Sequence, residues 1–456
     1  MSFHPSSREE GNISVAQPVV EPVAATDQQK ATKQFSPGSI LAPLRNRNFA
    51  LLFSGQLISI MGDGLYYVAL PWFMLSSGGG AQALGIVLAA YGIPRAASVL
   101  FGGVLSDRLG PRNTMLLTDC VRIVLMAALA FLVAQGHPAL WLLCFVSALF
   151  GLFGGLFLPA SLSAAPAILR GEELQAGNAL TASSGQLAGV VGVGAAGAVV
   201  AWLQPAGALG LDALTFVVSA VTLLFMQNVI VSQASRAAKD NENAGETGEA
   251  AVEPLTFWQL LRRSRILQLI LVLATFKNLG IGAMFEVALP AMLHDQLHTS
   301  ASGYGFILAG FSVGSILGAL TAGGLGKLPY RLLLSLASFC IGGVLLTLLP
   351  FMGSVGIGVL IMAATGMLFG LGNVIALSVV QGAIPAHLMG RVMSMFGFAT
   401  YGVYPFSVAI GGVITPRYGV IPIFLAGGLL MIIPAVVGFL QRSFWQRGEV
   451  KLTEES

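Results

Sequence analysis

This sequence contains very few charged residues. Of its 456 residues only 9% are Asp, Glu, Lys or Arg, whereas soluble globular proteins carry about 25%. The charges are too few to coat the two or three domains that a soluble chain of this length would form. A disordered protein is excluded as well, since disordered chains are polar and charged. Hydrophobic residues make up 55% of the chain, so we expect its surroundings to be lipid.

Signatures of several function classes are also absent. The three cysteines lie far apart without the spacing of a metal site, so we expect packed thiols and neither a metal nor a cofactor. A net charge of +3 is too small to indicate nucleic-acid binding. Lys327 follows Gly326 but precedes Leu328, so the chain has no phosphate-binding loop for ATP. No catalytic signature of a membrane protease or hydrolase is visible, and we expect no enzyme activity.

Long apolar runs dominate what remains. A helix needs about 20 apolar residues to cross a bilayer, and continuous runs of this length favour helices over barrel strands. The pattern predicts an all-α membrane protein with twelve spans, numbered in chain order. They lie at roughly 49–75, 84–106, 114–134, 139–165, 180–203, 207–231, 266–291, 303–325, 330–350, 354–381, 392–414 and 420–441.

The distribution of lysine and arginine predicts the orientation. If the N-terminus is cytoplasmic, the inner segments hold 19 of these residues and the outer loops hold only Arg417. Cytoplasmic loops of membrane proteins carry such an excess of positive charge, so both termini are predicted to be cytoplasmic. The expected organisation is a disordered tail (1–48), a six-helix bundle (49–231), a cytoplasmic linker (232–265), a second bundle (266–441) and a C-terminal tail (442–456).

The two halves repeat each other at an offset of 219 residues. The tetrapeptide 68–71 (VALP) returns at 287–290, Gly151 maps to Gly370, and Pro166 and Gly171 map to Pro385 and Gly390. Two parallel six-helix repeats imply a pseudo-twofold axis along the membrane normal, with a site between the halves near the midplane.

The loop between spans 2 and 3 carries a motif of a known family. Residues 103–112 (GVLSDRLGPR) resemble the G-x-x-x-D-R-x-G-x-[RK] signature of the major facilitator superfamily. Gly62-Asp63-Gly64, the Asp119-x-x-Arg122 pair and residues 176–180 (AGNAL) resemble the drug:proton antiporter branch that includes macrolide and enterobactin exporters. Two features of the broader drug-exporter pattern are missing, the arginine in span 4 and the Gly-Pro pair in span 5, so coupling is expected to use other groups.

The loop signature suggests a mechanical role at the inner side. Asp107 could face a helix N-terminus of the other half, while Arg108 and Arg112 could pair with acids such as Asp119. The signature has glycine at positions 103 and 110, where its missing side chain would permit close helix contact and a tight turn. The expected cytoplasmic gate comprises Gly103, Asp107, Arg108, Gly110, Arg112, Asp119 and Arg122. The simpler interpretation is that the basic residues only set topology.

Ionisable residues inside the spans are the main candidates for proton coupling, because charges in lipid are costly. Asp63, Arg95 and Lys277 fall near the middle of a hydrocarbon core of about 30 Å, and Glu286 lies nearer the outer end of span 7. Burial disfavours an ionised carboxylate and a nearby cation favours it. Asp63 could therefore exchange a proton beside Arg95 or Lys277. A permanent ion pair that only joins helices remains the alternative.

Other polar residues are candidates for the substrate cavity or for interhelical hydrogen bonds. These are Gln56, Tyr66, Gln186, Asn278, Asn373, Tyr401 and Tyr404. Asp212, at the start of span 6, is interpreted as a helix N-cap. The glycines 151/155 and 310/314/318, spaced four residues apart, are expected to form close-packed helix faces.

The predicted function is secondary active export of small lipophilic or amphipathic compounds by alternating access, driven by proton antiport. The expected partners are a small-molecule substrate, protons and the plasma-membrane bilayer, with the protein acting as a monomer. Two alternatives of the same fold remain open, an uptake symporter and a lysolipid flippase. A sensor without transport activity also remains open.

Overall fold

The computed structural model describes residues 41–169, 171–227, 261–262, 264–325, 330–383, 392 and 395–441. Every regular element in these ranges is a helix. Lipid offers no hydrogen bonds to a backbone, so apolar segments of this length satisfy their polar groups within the helix. The predicted linker and both tails lie almost entirely outside these ranges, as do Lys327, Pro385 and Gly390.

The first half consists of long helices joined by short turns. Spans 1 to 4 are the helices Arg47–Ser76, Gly80–Leu109, Pro111–Ala134 and Leu140–Ile168. Spans 5 and 6 lie in one helical element, Gly171–Phe225, which is broken at Gln204 by a left-handed φ of 62°. Pro205 follows the break, where its fixed φ suits the first position of a new helix.

The second half contains two interrupted spans. Span 7 comprises Arg265–Ala283, a π-helical turn Met284–Ala288 and Leu289–Asp295, whereas span 8 is Ala301–Leu325. Span 9 is Arg331–Leu348 with a 3₁₀ turn Leu349–Phe351, and span 10 is Val355–Ala383. Span 11 contains the π-helical turn Phe398–Gly402 and continues as Tyr404–Tyr418, and span 12 is Ile421–Leu440.

Ten helices in the described part of the chain are long and apolar enough to cross a membrane. The prediction of twelve differs at two places. Spans 5 and 6 run on through the break at Gln204 and count as one, and the regular helix of span 11 has only 15 residues. The described elements remain consistent with twelve crossings, because both segments contain the apolar residues that define the predicted spans.

Local residues explain where several helices begin. Asn46 caps span 1, since its Oδ1 accepts hydrogen bonds from the backbone N–H groups of Asn48 and Phe49 at 3.0 and 3.4 Å. Ser264 caps span 7 by accepting from Leu267 N–H at 3.2 Å. Gly110 turns the chain between spans 2 and 3 with φ of 82°, a conformation that favours glycine.

The two halves use the same packing pattern. Span 4 packs on span 2, where Gly151 and Gly155 abut the backbone carbonyls of Tyr91 and Arg95. Span 8 packs on span 10 in the same way, where Gly314 abuts the carbonyl of Ala363 and Gly318 that of Met367. The predicted close-packed glycine faces are therefore present. Small residues are what allow lipid-embedded helices to approach so closely.

The halves meet most closely at the end of the molecule where span 1 ends and span 2 begins, here called the distal end. A Cβ on Gly85 of span 2 would lie 2.5 Å from Cα of Gly412 in span 11. A Cβ on Gly197 of span 5 would lie 2.8 Å from Cα of Gly305 in span 8. Backbone contact at both crossings closes the space between the halves at the distal end.

Candidate functional site

A buried ion pair lies inside the first half. The Arg122 guanidinium donates to Asp119 Oδ1, and Asp119 Oδ2 accepts a hydrogen bond from the Ser219 hydroxyl at 2.7 Å. The guanidinium carbon lies 4.2 Å from the ring centroid of Phe157 and 4.4 Å from that of Phe216. Asp119 and Arg122 are 0% and 4% exposed. This pair joins spans 3, 4 and 6 and is shielded from solvent.

Two further carboxylates lie near this pair. Asp63 of span 1 is partly buried, and the charges that act on it are those of Arg122, Arg95 and Asp119. Asp212 of span 6 is fully buried, and Asp63 acts on it electrostatically. Its Oδ1 accepts from the Thr215 hydroxyl at 3.3 Å, but its Oδ2 is buried without a hydrogen-bond partner among the described residues.

The interpretation of Asp212 as an N-cap is wrong. The second arm of the broken helix begins at Pro205, so Asp212 lies in the helix interior. There it faces span 1 at Gly62, where a Cβ would lie 2.5 Å from Asp212 Oδ1. A sequence signal for this placement exists in the polar stripe 212, 215, 219 and 222, whose spacing puts all four residues on one helix face.

Arg95 belongs to a cluster of tyrosines. It donates to the Tyr67 hydroxyl at 3.0 Å and to the Tyr91 hydroxyl. Tyr66 packs against Tyr91 and Phe150 with ring centroids 5.3 and 5.1 Å apart. Tyr66 is 1% exposed, so in this conformation it belongs to the aromatic core of the first half and lines no open cavity.

Lys277 lies in the second half, in a different environment from Asp63. Its Nζ donates to Asn373 Oδ1 at 2.7 Å and lies 5.5 Å from the ring centroid of Phe339. Lys277 and Asn373 line a cavity of about 200 Å³ together with Asn278. The structure thus brings Lys277, Asn278 and Asn373 together and separates them from the acids of the first half.

Glu286 and Tyr404 form a third polar location. Glu286 lies within the π-helical turn of span 7, and Tyr404 begins the regular helix of span 11. Tyr404 packs against span 7 at Gly282, where a Cβ would lie 3.3 Å from its Cδ2. The Glu286 carboxylate and the Tyr404 hydroxyl are buried beside each other, and the charge of Arg95 acts on Glu286. π-Helical turns occur often at functional sites.

The residues of the loop signature have different surroundings from those expected. Arg112 donates from Nε to Leu223 O at 2.8 Å and from Nη2 to Leu224 O at 3.0 Å. It therefore binds the C-terminal carbonyls of span 6, a favourable position for a cation, while Asp119 pairs with Arg122. Asp107 and Arg108 are exposed.

The other residues predicted from the sequence make no described contact with these three polar locations. A Cβ on Gly103 would meet nothing within 4 Å, whereas one on Gly102 would lie 2.9 Å from Leu156 O, so the close contact falls one residue earlier than expected. Gln56 is partly buried on span 1. The side chains of Gln186 and Tyr401 lie outside the described part. The described residues contain no group of three or more potential metal ligands.

The sequence of this chain matches the model of a known protein family. The Major Facilitator Superfamily model matches residues 52–407. The chain belongs to the Major Facilitator Superfamily. It is therefore a multi-pass membrane transporter, and the resemblance drawn from the loop signature is confirmed.

Curated relatives of this transporter include exporters. The chain is 26% identical over 402 residues to the multidrug efflux pump Tap of Mycolicibacterium fortuitum, covering 86% of this chain and 95% of the relative. It is 24% identical over 348 residues to the enterobactin exporter EntS of Escherichia coli O1:K1 / APEC, covering 76% of this chain and 80% of the relative.

Solved structures of the same fold have lower sequence identity. A bacterial homologue of the iron transporter ferroportin in an inward-facing state matches with a TM-score of 0.62 at 17% identity, covering 86% of this chain and 98% of that one. A mutant of the nucleoside transporter NupG matches with a TM-score of 0.64 at 13% identity, covering 88% of this chain and 100% of that one. These two likenesses show the fold of this transporter.

Proposed function

We propose that this transporter exports small lipophilic or amphipathic compounds by proton antiport across the plasma membrane. Both termini would be cytoplasmic, the distal end would face outward, and the unit would be a monomer. With the distal end closed, the described conformation would be closed to the outside in this orientation. Export by two relatives, Tap and EntS, supports the direction of transport.

The single observation that carries the proton-coupling proposal is the buried Asp212 carboxylate with a free Oδ2. An ionised carboxylate in a lipid-embedded core is expensive unless it is paired and hydrogen-bonded. Thr215 supplies one hydrogen bond to Oδ1 and nothing described supplies one to Oδ2. Protonation of the Asp212 carboxylate would remove this cost. A later conformational change that exposes the carboxyl group to water would release the proton.

The charges around Asp212 favour the binding of a proton. The charged groups that act on Asp212 or on its neighbour Asp63 are Asp119, Arg95 and Arg122. The cluster thus has three carboxylates and two guanidiniums, an excess of one negative charge. The Asp119–Arg122 pair is internally matched and Arg95 also acts on Glu286, so a proton shared by Asp63 and Asp212 would reduce the remaining negative charge.

A coupling cycle follows from this arrangement. Asp63 is partly buried and Asp212 is fully buried, so Asp63 is the member of the pair nearer to any water between the halves. A proton arriving from outside would bind the pair and favour the conformation that opens inward. Release of that proton to the cytoplasm would accompany substrate binding, and the reverse change of conformation would carry substrate outward.

An accumulation assay tests the function directly. The chain would be expressed in an efflux-deficient bacterium loaded with lipophilic dyes, with and without a protonophore. We expect lower dye accumulation that returns to the control level when the protonophore is added. The variant Asp295→Asn, which alters an exposed acid at the distal end, should behave as wild type. Accumulation equal to that of cells without the chain for every compound would contradict export.

A further inference from the structure

The cavity around Lys277 contains one charged side chain among the residues that line it. It lies between spans 7, 9, 10 and 11 of the second half, and most of its lining is apolar. No acid is among the described lining residues, so the cavity carries a net positive charge when Lys277 is protonated. Its volume of about 200 Å³ is below the ~300–1,000 Å³ of sites that enclose a whole drug-sized ligand.

Lys277 has more N–H donors than its hydrogen bond to Asn373 uses. An ammonium group has three N–H donors, and the described residues supply one acceptor, Asn373 Oδ1. The other polar side chains of the lining each donate one hydrogen bond to the backbone. The side chains of Ser335, Asn278 and Thr400 donate to the carbonyls of Gly372, Ala274 and Phe396, each at 2.8–2.9 Å.

The surroundings of Lys277 also limit which ligands fit. A cation within an apolar cavity loses solvation, and a single amide oxygen with an aromatic face compensates only in part. An incoming anion would supply the missing charge and accept the free N–H groups. Phe339 and Phe396 line the same cavity, so an aromatic group attached to the anion would find apolar partners.

We propose that this cavity is a binding subsite for the acidic group of an aromatic amphipathic substrate, with Lys277 as its ion-pair partner. The volume is sufficient for an acidic group and one ring, and the rest of the substrate would extend past Asn373 and Leu377, which are the exposed residues of the lining. That this ligand is transported rests on the proposed export function, whereas its binding does not. Lys277 thereby receives a role in substrate selection separate from the proton-coupling acids of the first half.

A matched pair of probes tests the subsite by binding alone. 8-Anilinonaphthalene-1-sulfonate and N-phenyl-1-naphthylamine share an arylamine skeleton, and only the first carries a negative charge. Binding of each would be measured on full-length protein in lipid nanodiscs, with empty nanodiscs as background. For Lys277→Met we expect affinity for the sulfonate to fall about tenfold or more, as for the loss of a charged hydrogen bond, while affinity for the neutral probe changes less than twofold.

The variant Lys277→Arg keeps the charge and should bind the sulfonate within about threefold of wild type. Equal losses for both probes in Lys277→Met would show a general packing defect and overturn the proposal, as would unchanged sulfonate binding. The two proposals fail separately. Charge-dependent binding without export in cells would contradict the proposed function alone, and export with charge-independent binding would contradict the subsite alone.

Discussion

The Asp212 carboxylate occupies the space that the missing side chain of Gly62 leaves on span 1. A Cβ at position 62 would lie 2.5 Å from Asp212 Oδ1 and 2.9 Å from Thr215 Cβ. Glycine at this position lets spans 1 and 6 approach until the acid of one helix lies beside Asp63 of the other. The close approach thus forms the carboxylate pair to which we assign the proton.

Gly62→Ala should disturb this pair. The added methyl group must displace Thr215 and Asp212, and overpacking of this kind costs about 1–3 kcal/mol. We expect at least a tenfold loss of proton-driven transport together with a lower melting temperature. The matched control is Gly154→Ala, because a Cβ on Gly154 meets nothing within 4 Å. Equal effects of the two substitutions on transport would contradict the assignment.

Asp212→Asn should uncouple transport from protons. Asparagine preserves the size of the side chain and mimics a permanently protonated acid, so the pair can no longer release a proton. We expect loss of uphill export in a pH gradient and retention of substrate exchange across proteoliposomes without one. The pH dependence of export should become flat in the range where wild type responds. A variant that keeps wild-type pH dependence would exclude Asp212 as a proton carrier.

Arg122→Met should destabilise the first half. It removes the partner of the fully buried Asp119 and leaves an uncompensated carboxylate, which costs about 3–5 kcal/mol. We expect a large fall in melting temperature in detergent. The double variant Asp119→Asn/Arg122→Met should recover much of the loss, because it leaves no unpaired charge. Equal stability of the single and double variants would indicate that the ion pair is not the relevant interaction.

Substitution at the glycine crossings should open the distal end. Gly197→Val introduces atoms where a Cβ alone would lie 2.8 Å from Cα of Gly305, so the closed arrangement is disfavoured. A cysteine at position 301, where Ala301 is 2% exposed, would report the change in a background without other cysteines. We expect faster labelling than with unsubstituted glycine. Gly154→Val serves as control, and unchanged labelling would contradict the closure described.

Much of the fold can be predicted from the sequence because lipid imposes strict rules. Apolar length predicts the spans, and the loop signature with the 219-residue repeat predicts the family. The break at Gln204 and the π-helical turn around Glu286 escape prediction, since local backbone geometry there depends on packing between helices. The lengths of the apolar runs alone therefore predict helix ends that differ from the observed ends by several residues.

The candidate site is only partly predictable for a different reason. Asp63, Asp119 and Arg122 are conspicuous as charges in apolar runs, and Asp212 meets the same criterion, although its place near the start of predicted span 6 favours a cap. Its polar neighbours at 215, 219 and 222 carry the missed signal. The partner of Lys277 could not be read from the sequence, because Asn373 lies 96 residues away and only the packing of spans 7 and 10 joins them.

Substrate flux driven by an imposed pH gradient tests the central claim most directly. Purified protein would be reconstituted in proteoliposomes in a common orientation, and a labelled amphipathic compound would be followed with and without the gradient. We predict uphill movement of the compound against the direction of proton flow, and loss of this movement in both Asp63→Asn and Asp212→Asn. Uphill transport that persists in both variants, or that does not respond to the gradient in wild type, would contradict the account.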